Sequence, residues 1–320
     1  MGVLMLGDIW RDMVVDVAAS TWVVAGLLLG MCVLLRVLTH VAVVQRGLVA
    51  RSSVAAGLGL PHSLEPVVRA AQVRRVRGLS GGGFLGVLVS VVFVYLNGAD
   101  RSGPATLFLL GGFAIGGALG SAIAAVSGEV HRTADGERVA HGRRACLADY
   151  VPLWERVGAR IAVLLSLTIV GVQVALPALG ELPLTVFPES FSVAVVVSGL
   201  AIAALAVFEI GGPLIVARPQ TTGSELELAW DDALRSAAIL ALVAAAFLLG
   251  CFGSFLGIQE IAMAVRGAGG GLASAVAFNV FGVVVLGGGV MTYIRTSLGR
   301  YSLRTLHADE DAGARLAGPK

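Results

Sequence analysis

Lysine is almost missing from this chain. Lys320 closes a sequence of 320 residues in which every other permanent positive charge is an arginine. With no lysine in any apolar run, a retinal-type Schiff base inside a helix is excluded. No Walker lysine follows a glycine loop either, so the chain does not hydrolyse ATP alone. Cysteine is nearly as scarce. Cys32, Cys146 and Cys251 cannot build a disulfide framework, and no Cys-x-x-Cys or His-x-x-x-His pair marks a metal site. His40, His62, His131, His141 and His307 all fall outside the apolar runs, which excludes an intramembrane serine–histidine dyad and bis-histidine haem ligation. Charge is thin overall: 14% of residues are charged and the formal net charge is +2, too little to attract nucleic acid. Nothing in the pattern calls for a cofactor, and no constellation identifies an enzyme.

What the chain has in abundance is apolar length. Hydrophobic residues make up 57% of it and the mean hydropathy is +0.87, far from an ordinary soluble domain. Runs near 19–38, 82–97, 104–127, 160–179, 191–214, 236–257 and 273–294 approach or exceed what is needed to cross a hydrocarbon core of about 30 Å. A bilayer core offers no water to exposed backbone groups, so such runs are expected to be helices; they lack the alternation of barrel strands. The expected fold is all-α, a single polytopic membrane bundle with one N-terminal helix followed by three hairpins.

The arginines set an orientation. If the first helix runs inward, 20 of the 23 basic residues fall on the cytoplasmic side, in the connections near 40–80, 128–159 and 218–235, at the C-terminus, and at the span ends Arg36 and Arg160. Only Arg11, Arg101 and Arg266 fall outside. The positive-inside rule then puts the N-terminus outside and the C-terminus in the cytoplasm. Arginine without lysine, amid much Ala, Val and Gly, matches the codon bias of a GC-rich bacterium, which makes the plasma membrane the expected location. Anionic headgroups account for the basic loops.

Smaller features refine the plan. Asp8, Arg11, Asp12 and Asp16 share one helical face at the start of the chain, which fits an amphipathic helix and not a cleavable signal. Ser63 to Arg77 has the N-cap, early acid and late arginines of a short surface helix before the second span. Two charged elbows resemble each other, one carrying Trp154 and Arg156 and the other Trp230, Asp231 and Asp232. They are candidate docking points for a partner, although tryptophan at a membrane boundary is most often a simple anchor. Gly112, Gly116 and Gly120 recur every fourth residue, a face that lets another helix approach closely within the bundle or in a homo-oligomer. His131, Asp135, Glu137 and His141 sit in a mixed-charge loop of solvated character and make no metal site.

Polar groups at depth are few. Glu209 is the one carboxylate inside these runs, and Pro213, lacking an N–H, removes the helical partner of its carbonyl. An acid beside a broken helix is how transporters bind a proton or ion. The alternative is that the fifth helix ends near residue 210 and leaves Glu209 among the headgroups. Gln173 and Asn279 are the other strong hydrogen-bonding groups, either bridging helices or lining a path with Glu209. The functional expectation is a permease-like transport component acting with a cytoplasmic ATPase or another membrane subunit. The alternative is a non-catalytic scaffold or regulatory subunit.

Overall fold

The computed structural model describes residues 21–96, 105–126, 145–178, 193–217, 224–267 and 280. Eight helices account for almost all of them: α1 Thr21–Leu38, α2 Ala42–Ala56, α3 Glu65–Leu96, α4 Ala105–Val126, α5 Leu147–Tyr150, α6 Leu153–Ala178, α7 Val193–Val216 and α8 Glu225–Gly267. No strand occurs among the described residues. Six of these helices, α1, α3, α4, α6, α7 and α8, are long and apolar enough to cross a membrane, and the chain is a multi-pass membrane protein. The expected seventh span, 273–294, lies outside the described residues apart from Val280, as do the N-terminal amphipathic segment and the 131–141 loop.

Several expected boundaries are corrected. The surface helix expected at 63–77 and the span at 82–97 are one continuous 32-residue helix, because Gly78, Gly81, Gly82 and Gly83 at the join keep helical geometry. The fifth span, expected at 191–214, is matched by α7, which carries Pro213 inside it and runs to Val216, so the alternative end near residue 210 is overturned. The elbow with Trp230, Asp231 and Asp232 is no loop but part of the first turns of α8, which also continues past the expected span 236–257 to Gly267.

The chain divides into two compact units. In the first, α1, α3 and α4 pack through Ala25, Leu28, Val87 and Leu109. The α3–α4 contact is made by two glycine rows, Gly78, Gly82 and Gly86 against Gly120, Gly116 and Gly112, each running antiparallel to the other. Both carbonyl rows lie where a Cβ would have to go, so the expected small-residue face is a contact within the chain.

In the second unit, α6, α7 and α8 pack together, with residues 51–64 and α5 attached. Just past the end of α2 the Gly57 N–H meets the Ser53 carbonyl, and the positive φ of 71° at Gly57 turns the Leu58 N–H back onto the same carbonyl. Helix α8 is apolar all round and 94% of its apolar window is buried, against 17–33% for the other five candidate spans. A helix that is hydrophobic on every side belongs at the axis of a bundle. Residues 236–259 of α8 carry no charge, a length of about 36 Å at 1.5 Å per residue.

Candidate functional site

The ladder of contacts along α8 fixes the depth of everything else in the second unit. Gly250 lies against the backbone of Ala162 and Val163, Gly253 against Ser166 and Ser198, and Gly257 against Ile169 and Ala194. Helix α6 therefore runs parallel to α8 and α7 antiparallel. These three glycines share a helical face with Glu260, at spacings of three and four residues.

Polar groups line this seam. The hydroxyls of Ser166 and Ser198, both fully buried, are 2.5 Å apart, and buried Ser254 donates to the Gly250 carbonyl at 2.8 Å. About two helical turns further on, Gln173 Nε2 donates to Glu260 Oε2 at 2.8 Å and to the Gly257 carbonyl at 3.1 Å. The other oxygen of Glu260 accepts the Ala194 N–H at 3.4 Å, at the start of α7. A carboxylate from α8 thus sits on the positive end of α7 and is held there by α6. The other polar atom of this glutamine, Gln173 Oε1, is buried and has no hydrogen-bond partner; Gln259 Nε2 is likewise unpaired, on a different face of α8, and the two residues are only 6% and 8% exposed.

Gln173 is therefore a helix bridge, as one expected role had it, but its carboxylate partner is Glu260 and not Glu209. Arg160 and Gln173 are thirteen residues apart on α6, about 20 Å. Glu209 is at the Arg160 level: it accepts Arg160 Nε at 2.8 Å and Nη2 at 3.1 Å in a bidentate pair. Glu209 and Gln173 consequently do not share one polar site. Asn279 lies outside the described residues.

The Arg160–Glu209 pair is not at the end of the helices. A Cβ on Gly211 would lie 3.9 Å from Leu242 and Arg235 reaches the Ile215 carbonyl, so the pair sits level with about Leu242 to Leu248 of α8. That is about 10–20 Å beyond Arg235, within the uncharged stretch of α8. Its side chains, 48% and 37% exposed, face outward between the exposed residues Val157, Ile161, Leu164, Val207, Ile210 and Leu214.

The opposite end of the seam is closed by side chains assigned to docking elbows. Trp230 is 2% exposed and donates its indole N–H to the Gly59 carbonyl at 2.9 Å. Asp232 is fully buried and accepts the Tyr150 hydroxyl at 2.8 Å, while Ser236 donates to the Tyr150 carbonyl at 3.1 Å. Asp231 pairs with Arg235 one turn along α8. Burial, with the negative charge of Asp232 next in weight, pushes the Tyr150 phenol far above its ordinary range. Trp230 and Asp232 are thus internal ties, unavailable to a partner, because α8 begins earlier than expected and draws them into its packing. Trp154 remains 56% exposed at the base of α6, beside Arg156.

Glu260, Arg160, Tyr150 and the Ser166–Ser198 pair all escape a hydropathy reading. Glu260 falls beyond the apolar window, yet its place on the Gly250, Gly253, Gly257 face is visible in the spacing. No group of three or more potential metal ligands occurs among the described residues. No protein-family model matches the chain, and neither a curated protein nor a solved structure does so.

Proposed function

We propose that this chain is a permease-like, non-enzymatic membrane component, its N-terminus outside a bacterial plasma membrane, working with a cytoplasmic partner such as an ATPase. The observation that carries the reading is the Gln173–Glu260 arrangement. Buried polar atoms are normally paired, and leaving one bare costs about 1–3 kcal/mol. The unpaired Gln173 Oε1, on a side chain bonded to a carboxylate that joins three helices, has the character of a place where a small polar solute or ion supplies the missing bond. The hydroxyls of Ser166, Ser198 and Ser254 continue the polar seam along the same helix faces. The exposed Leu153 and Trp154 at the base of α6, with half-buried Arg156 near them, are the surface left for the partner.

A second reading, a scaffold or regulatory subunit, is favoured by one feature. The Arg160–Glu209 pair faces outward at membrane depth, where a helix of another subunit would find a fixed polar contact.

The decisive experiment compares energised membrane vesicles from cells with and without the chain, in the presence and absence of ATP, for uptake of a panel of small polar solutes. A difference that Gln173→Leu removes supports transport through the seam; identical profiles sink it. Cysteine probes at Ser102 and Ser302 test orientation, since only the first should react with an impermeant reagent added outside.

A further inference from the structure

In the first unit, charge stops at a sharp level. Residues 21–35 of α1 carry no charge and Arg36 follows; residues 78–96 of α3 carry none and Arg77 precedes them. The α3 stretch is about 28 Å long, close to a bilayer core of about 30 Å. The two helices thus leave the apolar zone at two arginines, and the fold brings those arginines together.

The junction is built in detail. Arg36 Nη1 donates to the Arg77 carbonyl at 3.3 Å. Arg77 Nε donates to Thr39 Oγ1 at 3.1 Å, and its Nη2 lies 3.3 Å from a ring nitrogen of His40. Thr39 in turn donates to the Arg36 carbonyl at 2.7 Å, and Gln45 donates to the Thr39 carbonyl at 2.7 Å, which fixes the turn between α1 and α2. Arg36 and His40 are exposed and Arg77 is half-buried. Among the described residues no carboxylate pairs with any of the three; the one acid in this unit's described part, Glu65, is tied to Arg69.

Two permanent positive charges need a counter-charge. The negative end of α1 is equivalent to only about half an elementary charge, too little to balance them. Most N–H donors of both guanidiniums remain uncommitted, and the guanidinium fork matches phosphate oxygens. We propose that Arg36, His40 and Arg77 form a binding site for the phosphate of an anionic phospholipid at the basic boundary of α1 and α3. The uncharged runs ending here put the site at the headgroup layer, which favours a lipid phosphate over a soluble one. The inference depends on membrane residence and not on transport.

The test uses the full-length protein in detergent, titrated with phosphatidylglycerol, phosphatidylcholine or inorganic phosphate, with bound lipid counted by native mass spectrometry. The wild type is expected to retain phosphatidylglycerol in preference to phosphatidylcholine. Arg36→Gln combined with Arg77→Gln should weaken phosphatidylglycerol binding roughly twenty-five-fold, taking about fivefold per arginine near an anionic surface. Arg46→Gln, at an exposed arginine of α2 outside the junction, should leave binding unchanged. Equal retention of the two lipids by the wild type overturns the proposal and needs no variant, so a double variant that fails to fold does not shelter it. Unchanged phosphatidylglycerol binding in a folded double variant overturns it as well. Inorganic phosphate displacing phosphatidylglycerol at equal concentration overturns the lipid assignment and points to a free anion.

Discussion

Gly82 of α3 and Gly116 of α4 meet backbone to backbone, each standing where the other's Cβ would be. A Cβ on Gly82 would lie 2.9 Å from the Gly116 carbonyl carbon, and neither main chain can step aside without moving a whole helix. Gly82→Ala should therefore cost at least the 1–3 kcal/mol typical of overpacking, roughly, and lower the melting temperature in detergent. Gly81 is the control, with open space where its Cβ would be. Gly81→Ala should be neutral or stabilising by up to about 1 kcal/mol through helix propensity. Equal melting of the two variants would show that the glycine rows are not in contact.

Tyr150 and Asp232 are both fully buried, and their hydrogen bond crosses from α5 to α8. Tyr150→Phe removes the donor and leaves a desolvated carboxylate, at a cost of about 1–3 kcal/mol. Asp232→Asn in the same background should recover part of the loss, because a neutral amide is easier to leave underbonded. A double variant no more stable than Tyr150→Phe alone would count against the role given to this bond.

Alkaline titration offers an independent check on the same residue. The phenol is raised above its unfolded value of about 10. The folded state thus holds the proton more tightly, and the stability this confers is intact below pH 10 and lost as pH rises through the folded value. Absorbance of tyrosinate should show a tyrosine component that fails to ionise until the protein unfolds. In Tyr150→Phe that late component should vanish; its persistence would mean another tyrosine carries it.

The Arg160–Glu209 pair distinguishes membrane depth from a wet boundary. Exposed ion pairs in water couple by at most about 1 kcal/mol. In contact with lipid or another apolar helix, removing one partner strands a charge, and the coupling should exceed that limit. A double-mutant cycle of Arg160→Gln and Glu209→Gln, read by thermal unfolding in nanodiscs, measures it. Coupling below about 1 kcal/mol with strong salt dependence would place the pair in cytoplasmic water.

Glu260→Gln should loosen the start of α7, because the carboxylate there faces the Ala194 N–H and the positive helix end. Hydrogen exchange should rise in the first turns of α7 while its last turns, near Ile215, stay protected. Uniform exchange along α7 would argue against a local role for the acid.

The apolar runs of α1, α4 and α7 were legible in the amino-acid order alone, because a helix that faces lipid must be hydrophobic along its whole crossing. The close-packing face at Gly112, Gly116 and Gly120 was legible for the same kind of reason: only small residues permit backbone contact. Their partner row was not, since the choice among Gly78, Gly81, Gly82 and Gly83 depends on the rotation of α3 against α4. Hydropathy also could not show where α3, α6 and α8 begin, because charged residues in a helix that continues past the membrane look the same as those in a loop. Tertiary structure alone decided that Glu209 meets Arg160 and that Gln173 meets Glu260. Those pairs join residues 49 and 87 positions apart, and the register between neighbouring helices, set by Gly250, Gly253 and Gly257, determines which polar groups come within reach.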